Sequence, residues 1–288
     1  MKSGFLYRLL YHSQRLIPDR IYVKAQYRLI FGRKLNLKAP SSFNEKLAWL
    51  KLYNRKPLYT KMADKYEVKS LITNAIGGGY AVPCYGVYNS FDEINFNSLP
   101  NQFVIKTTHD SGGVVIVKDK KNFDKEAAKS KIEKSLKTNC FYAEREWPYK
   151  NIRPRIIVDK FLDDGFGNTL LDYKFWCFNG VPTYMYCTVK DDEIFENFYD
   201  MEFRPVQINH GFKRRKEEFE KPASFELMRD LAKQLSANIP FIRIDFFEVN
   251  GQVYFGEFTF FDWGGCKPFA DYNTDLELGK LINLNVSN

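Results

Sequence analysis

The spacing of apolar and polar positions predicts helices up to about residue 75. Within that region "SSFNEKLAWLKL" starts at Ser41 and pairs Ser42 with Glu45 three positions on, the reciprocal arrangement that caps a helix start. "KMADKYEVKSLI" continues at helical spacing, and "GGGYAVPCYGVY" breaks it and leads into an extended stretch near Pro83–Tyr88. "LPNQFVIKTT", "HDSGG" and "VVIVKD" read as strand, tight loop and strand, the first strand lying at Phe103–Lys106. A polar helix over "NFDKEAAKSKIEKSLKT" follows. "RPRIIVDKFLDD" reads as a strand, and "DYKFWCFNGVPTYMYCTV" as a strand pair around Asn179-Gly180. "SFELMRDLAKQLSAN" predicts an amphipathic helix from Ser224, with Leu227, Met228, Leu231 and Leu235 on one side, and a short helix is expected from Thr274. Strands and helices in blocks, joined by hairpins, predict an α+β protein with mostly antiparallel sheets.

One hairpin breaks its own apolar pattern. "RIDFFEVNGQVYFGEFTF" is two hydrophobic strands around Asn250-Gly251, yet Asp245 and Glu257 sit inside them. Buried carboxylates are costly without a cation beside them. A strict two-residue loop pairs Val249 with Gln252 and puts the two acids on opposite faces, since side chains alternate with period two. A three-residue loop, with Gly251 left-handed and a bulge, puts them on one face. The shared face suits a divalent metal held by oxygens. The opposite-face register leaves one acid on a solvated face and one at a strand edge.

Composition narrows the class. The 288 residues, 44% hydrophobic and 17% aromatic, suit an ordered chain able to bury a full core in one large domain or two small ones. No apolar run approaches the roughly 18 residues that span a bilayer. Arginines interrupt each apolar cluster of "MKSGFLYRLLYHSQRLIPDR", which makes a poor signal peptide. Five scattered cysteines without a C-x-x-C fit reduced thiols, so a cytoplasmic location is expected. Residues 1–40 hold nine Lys/Arg and one acid, an excess equal to the whole formal net charge of +8. Tyr7, Tyr11, Tyr22, Tyr27 and Phe31 interleave with those bases. Such a segment suits an anionic membrane surface, a nucleic acid or a phosphorylated substrate, or is an ordinary solvated helical face. Because the excess is confined to these positions, a nucleic-acid-binding protein is the weakest reading.

Several cations sit where strands usually exclude them. Lys106 ends a buried strand before the loop Asp110, Ser111, Gly112 and Gly113, whose small residues let backbone N–H groups approach phosphate oxygens. The loop is neither a Walker nor a Rossmann motif. Lys174 lies mid-strand among aromatics, and Arg243 stands two before Asp245. With Lys65, these cations and the two acids form a set suited to a metal-bound polyphosphate.

The order of these pieces carries a family likeness. Asp64-Lys65 opens a helix, "FVIK" precedes a glycine loop, and "IIVDKFL", "DYKFWCFNG" and "RIDFF…NG…YFGEFTF" follow. That order resembles the ATP-grasp superfamily, more closely its TupA-like polysaccharide-biosynthesis branch, from about Pro18 to Leu281. Members of the branch are sometimes labelled glycosyltransferases. The resemblance implies two α+β lobes sandwiching ATP, expected at residues 61–150 and 151–288 behind a basic helical segment, 1–60. It implies an ATP- and Mg2+-dependent ligase that activates a carboxylate as an acyl phosphate and passes it to an amine. Lys65 and Lys106 match the phosphate-contacting lysines, and Asp110 to Gly113 the loop that closes over the triphosphate. Asp159, Lys160 and Phe161 match the hinge that reads adenine and ribose, and Lys174 a further basic residue near the phosphates. Arg243 matches the arginine facing the reacting carboxylate, and Asp245, Glu257 and Thr259 the metal ligands.

Two positions depart from the family pattern: the hinge acid is Asp159 instead of Glu, and the third metal ligand is Thr259 where Asn is usual. The implied substrate is a sugar or glycan of a cell-surface polysaccharide, nucleotide- or lipid-linked; the basic segment adds an expected peripheral contact with the inner membrane face. A glycosyltransferase is the alternative. Such metal-dependent enzymes commonly use an Asp-x-Asp pair, and only the adjacent pairs Asp163-Asp164 and Asp191-Asp192 are present. His109-Asp110-Ser111 are too close in sequence to converge as a hydrolytic triad.

Overall fold

Ser42 caps its helix as the sequence predicts: its hydroxyl accepts from the Glu45 N–H while the Glu45 carboxylate takes the Ser42 N–H. The computed structural model describes residues 5–163, 170–190, 193–210 and 212–287. Its helices are α1 (Phe5–His12), α2 (Asp19–Phe31), α3 (Phe43–Tyr53), α4 (Pro57–Ala63), α5 (Glu67–Ile76), α6 (Lys125–Leu136), α7 (Phe141–Glu144), α8 (Phe225–Leu235) and α9 (Tyr272–Leu281). The α+β class expected from patterning is what folds, and the helical reading holds through α5.

Two compact units divide the chain. The smaller comprises Lys56–Phe141 and Pro148–Leu170, the larger Met1–Arg55, Tyr142–Trp147 and Leu171–Asn288. These units do not follow the sequential boundaries expected after residues 60 and 150. The "IIVDK" strand joins the smaller unit because it hydrogen-bonds two strands there. The first 55 residues belong with the larger one: Asn44 donates through its backbone N–H and its Nδ2 to Asp275 Oδ1 (2.9 and 3.0 Å), and Lys46 Nζ to the Ile282 carbonyl (2.7 Å). Phe43 also packs edge-on against Phe241, ring centres 4.8 Å apart.

In the smaller unit β1 (Cys84–Tyr88), β2 (Phe103–Thr107), β3 (Val114–Val117) and β4 (Ile156–Lys160) form an antiparallel sheet in the order β1-β4-β2-β3. Phe103, Ile105, Ile156 and Val158 point into one core with Ile132 of α6. Asp124 caps α6 by accepting from the Ala127 N–H.

The larger unit holds β5 (Asp172–Phe178), β6 (Val181–Lys190), β7 (Ile194–Tyr199), β8 (Pro205–Val206), β9 (Phe241–Val249) and β10 (Gln252–Thr259). Their order is β10-β9-β5-β6-β7-β8, antiparallel throughout. Both predicted Asn-Gly turns form, with φ positive at Asn179, Gly180, Asn250 and Gly251. Helix α8 covers one face of the sheet, Phe225 meeting Phe175 at 5.8 Å between ring centres. On α8 Phe225, Met228, Leu231 and Ala232 are buried, whereas Leu227, expected on the apolar side, is exposed.

Candidate functional site

Arg243 organises part of the sheet face opposite α8, on which Phe43 and Phe269 pack over Trp176. Register sets Lys174, Asp245 and Glu257 abreast on β5, β9 and β10, with Trp176, Arg243 and Thr259 abreast in the adjoining row. Residues directly opposite one another share a face. The two acids therefore do meet, but the reason differs from the three-residue loop considered above. The turn is a strict two-residue one, Val249 pairing with Gln252, and the register slips by one between Phe255 and Glu257. That slip occurs at Gly256. A Cβ there would lie 3.0 Å from the Asp245 carbonyl oxygen and 3.1 Å from the Phe247 ring, so only glycine lets the backbone approach so closely.

The guanidinium explains how the acids tolerate burial. Arg243 donates from Nε to Asp245 Oδ1 and from Nη2 to Asp245 Oδ2, both at 2.7 Å. Nη2 also reaches Glu257 Oε1 at 2.9 Å, and Nη1 reaches Asp262 Oδ1 at 2.5 Å. Burial works against the Arg243 charge, yet Asp245, Tyr186 and Asp262 beside it hold its pKa well above the ordinary value. Lys174 behaves alike: burial opposes its charge, but Asp245 (3.5 Å) and Asp172 (2.8 Å) outweigh that and raise its pKa. Thr259 Oγ1 donates to Glu257 Oε1 at 3.2 Å.

Four groups near this face carry no mark in the local sequence. Asp262 is buried and held by Arg243 and by the Tyr186 hydroxyl, which donates to it at 3.1 Å. Its position depends on the turn at Asp262–Gly265, where Trp263 and Gly264 take positive φ and the buried Lys51 ammonium donates to the Gly264 carbonyl. Glu196 on β7 is buried with neither carboxylate oxygen hydrogen-bonded, and burial, then Asp262, pushes its pKa up to about 8. His210 Nδ1 lies 3.5 Å from Asp262 Oδ2, and burial lowers this imidazole to about 4. Glu146 is half-buried, and desolvation of its carboxyl raises it to about 8. No local pattern marks these residues, since each gains its partners from distant segments.

The smaller unit gathers lysines around one acid. Asp159 on β4 is buried, its carboxylate 3.0 Å from Lys69 Nζ and 3.3 Å from Lys106 Nζ. Lys69 lies on α5, where no local pattern sets it apart from an ordinary helical lysine. Lys65 donates to the Asp110 carbonyl, and its own N–H bonds the Thr108 carbonyl at 3.1 Å. Asp64 caps the next helix through the N–H groups of Tyr66 and Glu67.

In the glycine loop Asp110 is turned inward: Thr107 and Ser135 hydroxyls and the Gly113 N–H all donate to its carboxylate. Burial opposes that charge, but the Ser135, Thr107 and Gly113 hydrogen bonds prevail and its pKa is lowered. Gly113 is wedged against the Thr107 and Ser135 side chains, while Ser111 and Gly112 are exposed at the tip. Lys160 is exposed and bonds the Pro83 carbonyl through its N–H (2.8 Å); Phe161 lies 6.0 Å from the Lys118 ammonium. Of the adjacent acid pairs, Asp164, Asp191 and Asp192 lie outside the described residues.

Among the described residues no three His, Cys, Asp or Glu side chains form a self-contained metal cage. Magnesium asks less: one or two carboxylates with substrate phosphates complete its octahedron. The hard oxygens of Asp245 and the half-exposed Glu257, abreast on one face, suit that demand.

Residues 45–283 match the model of a family described as TupA-like ATPgrasp. Among solved structures the chain is similar to a D-alanine–D-alanine ligase from Helicobacter pylori, at 16% identity over 84% of this chain and 70% of that one, with a TM-score of 0.42. It is similar to a D-alanine–D-alanine ligase from Bacillus anthracis complexed with ATP, at 17% identity, 76% and 58% coverage and TM-score 0.40. An L-amino acid ligase from Bacillus licheniformis matches at 11% identity, 84% and 53% coverage and TM-score 0.43. The chain spans less than two thirds of the last two. No curated protein sequence matches it.

Proposed function

We propose that this chain, which belongs to the TupA-like ATP-grasp family, is an ATP- and magnesium-dependent ligase acting in cell-surface polysaccharide biosynthesis. Its reaction would join the carboxylate of a uronic acid or amino acid to an amine. One carboxylate oxygen attacks the γ-phosphorus of ATP and ADP leaves; the amine then attacks the acyl carbon, phosphate departs, and the amine loses a proton. The observation that carries the reading is the row Lys174, Asp245 and Glu257 with Arg243 beside it on one sheet face, where Glu257 remains half-exposed.

In this reading Asp245 and Glu257 hold magnesium, with Thr259 supporting Glu257. Bound there, magnesium would neutralise phosphate oxygens as negative charge moves onto ADP. Arg243 would stabilise charge on the reacting carboxyl, a role for which a buried, permanently charged fork is suited. Lys65, Lys106 and Lys174 would supply phosphate contacts. The exposed Ser111-Gly112 tip would approach the triphosphate while Asp110 and Gly113 anchor its base, and Lys160 and Phe161 would meet the adenine through their backbone. Asp159 would act through the lysines that it holds.

The test is ADP release with ATP, magnesium and a panel of uronic acids and amines, together with hydroxylamine trapping of an acyl phosphate. Carboxylate-dependent ADP and a hydroxamate support the ligase. Turnover of a nucleotide sugar without ATP would replace it with the glycosyltransferase alternative.

A further inference from the structure

The bases at the start of the chain have a structural counterpart that the ligase reading does not use. Helix α1 and the turn after it leave apolar side chains in solvent: Phe5 is 79% exposed, Leu6 62%, Leu9 54% and Leu16 87%. At 3.6 residues per turn, Phe5, Leu9 and Leu6 fall within about 100° of arc, and Leu10 on the adjoining side is buried. Helix α1 packs on α2, which divides its own faces sharply. Tyr22, Val23, Gln26, Tyr27 and Ile30 are buried, while Arg20, Lys24 and Arg28 recur every fourth residue on the exposed side beside Ile21. Asp19 is already neutralised by Arg55 at 2.8 Å and Arg145 at 3.0 Å. The exposed bases are thus without a competing acid in this segment.

We propose that α1 and the outer face of α2 form a docking surface for an anionic lipid bilayer, with Phe5, Leu6, Leu9 and Leu16 entering the interface and Arg20, Lys24 and Arg28 meeting the headgroups. The pairing of chemistries selects the partner. A soluble polyanion satisfies the bases but leaves four large apolar side chains in water. A second copy in a two-fold contact covers the apolar face but sets basic stripe against basic stripe. A bilayer with acidic headgroups takes both, since apolar burial and surface charge act together there. The inference does not depend on the ligase chemistry.

The experiment is sedimentation of the full chain with phosphatidylcholine vesicles, with and without phosphatidylglycerol, at low and high salt. Binding only to the acidic vesicles, and weakening with salt, is expected, because exposed charges are screened over about 10 Å at 0.1 M. Each base contributes roughly fivefold, so R20Q/K24Q/R28Q weakens binding on the order of 100-fold. The variant F5S/L6S/L9S weakens it by about tenfold or more. All six replaced side chains are exposed, and thermal unfolding checks that the fold is kept. No sedimentation with acidic vesicles at low salt overturns the proposal. So does a serine variant that binds as well as the native chain, particularly if polyphosphate or RNA then competes. ATP binding measured on the same variants reports separately on the ligase reading.

Discussion

The two sheets handle charge in opposite ways. In the smaller unit lysines outnumber the acid they share: Lys69 and Lys106 both rest on Asp159, and Lys65 is anchored by a neutral carbonyl. In the larger unit carboxylates outnumber the cations: Arg243 is shared by Asp245, Glu257 and Asp262, Lys174 adds only a 3.5 Å contact to Asp245, and the buried Glu196 carboxylate accepts no hydrogen bond. The first arrangement offers spare ammonium groups, which suits phosphate. The second offers spare carboxylate oxygens, which suits a metal cation.

The strongest way to break this comparison is at Glu257. Glu257→Gln removes a carboxylate whose side chain is 46% exposed, so folding survives while ADP formation falls by roughly 10²–10³-fold. A calorimetric titration should show magnesium affinity lost with it. Unchanged ADP formation would mean that the acid surplus serves only Arg243.

On the lysine side, Lys106→Ala should slow turnover roughly 10- to 100-fold, the value of a charge-assisted hydrogen bond. Lys118→Ala, exposed beside Phe161, should change it less than about twofold. Equal losses from the two would mean that general charge, and not placement on Asp159, matters.

Gly256→Ala examines the register. Its Cβ meets the Asp245 backbone, so the slip must relax, at a stability cost of about 1–3 kcal/mol read by urea unfolding. Because relaxation separates Asp245 from Glu257, ADP formation should fall further than the stability loss alone accounts for.

The acid surplus also predicts a pH response. Glu196 at about 8 instead of 4.5 means the folded chain holds the extra proton between those values, so stability falls as pH rises. His210 at about 4 instead of 6.5 works oppositely, adding stability as pH rises from 4 to 6.5. The two offset each other up to pH 6.5. Glu146, raised to the same value, adds to the decline across the whole window, so stability falls most steeply from pH 6.5 to 8, where His210 no longer opposes it, by up to about 4 kcal/mol. Thermal melts of Glu196→Gln should show a shallower decline over that window.

What patterning could reach was local. The Ser42 capping box, both Asn-Gly turns, the helices through α5 and the two-residue spacing of Arg243 and Asp245 all depend on near neighbours, and the structure holds each of them. The excess of bases before residue 40 was equally plain, since net charge needs no fold. Tertiary structure decided the rest. Whether Asp245 and Glu257 share a face turned on a one-residue slip at Gly256, which the turn residues do not encode and close backbone packing does. That the Asp159 carboxylate meets Lys106 follows from the pairing of β4 with β2, which the sequence does not record. Asp262, Tyr186 and Glu196 reach Arg243's surroundings from three separate segments. A buried charge takes its partners wherever the folded chain supplies them, and sequence separation carries no record of that.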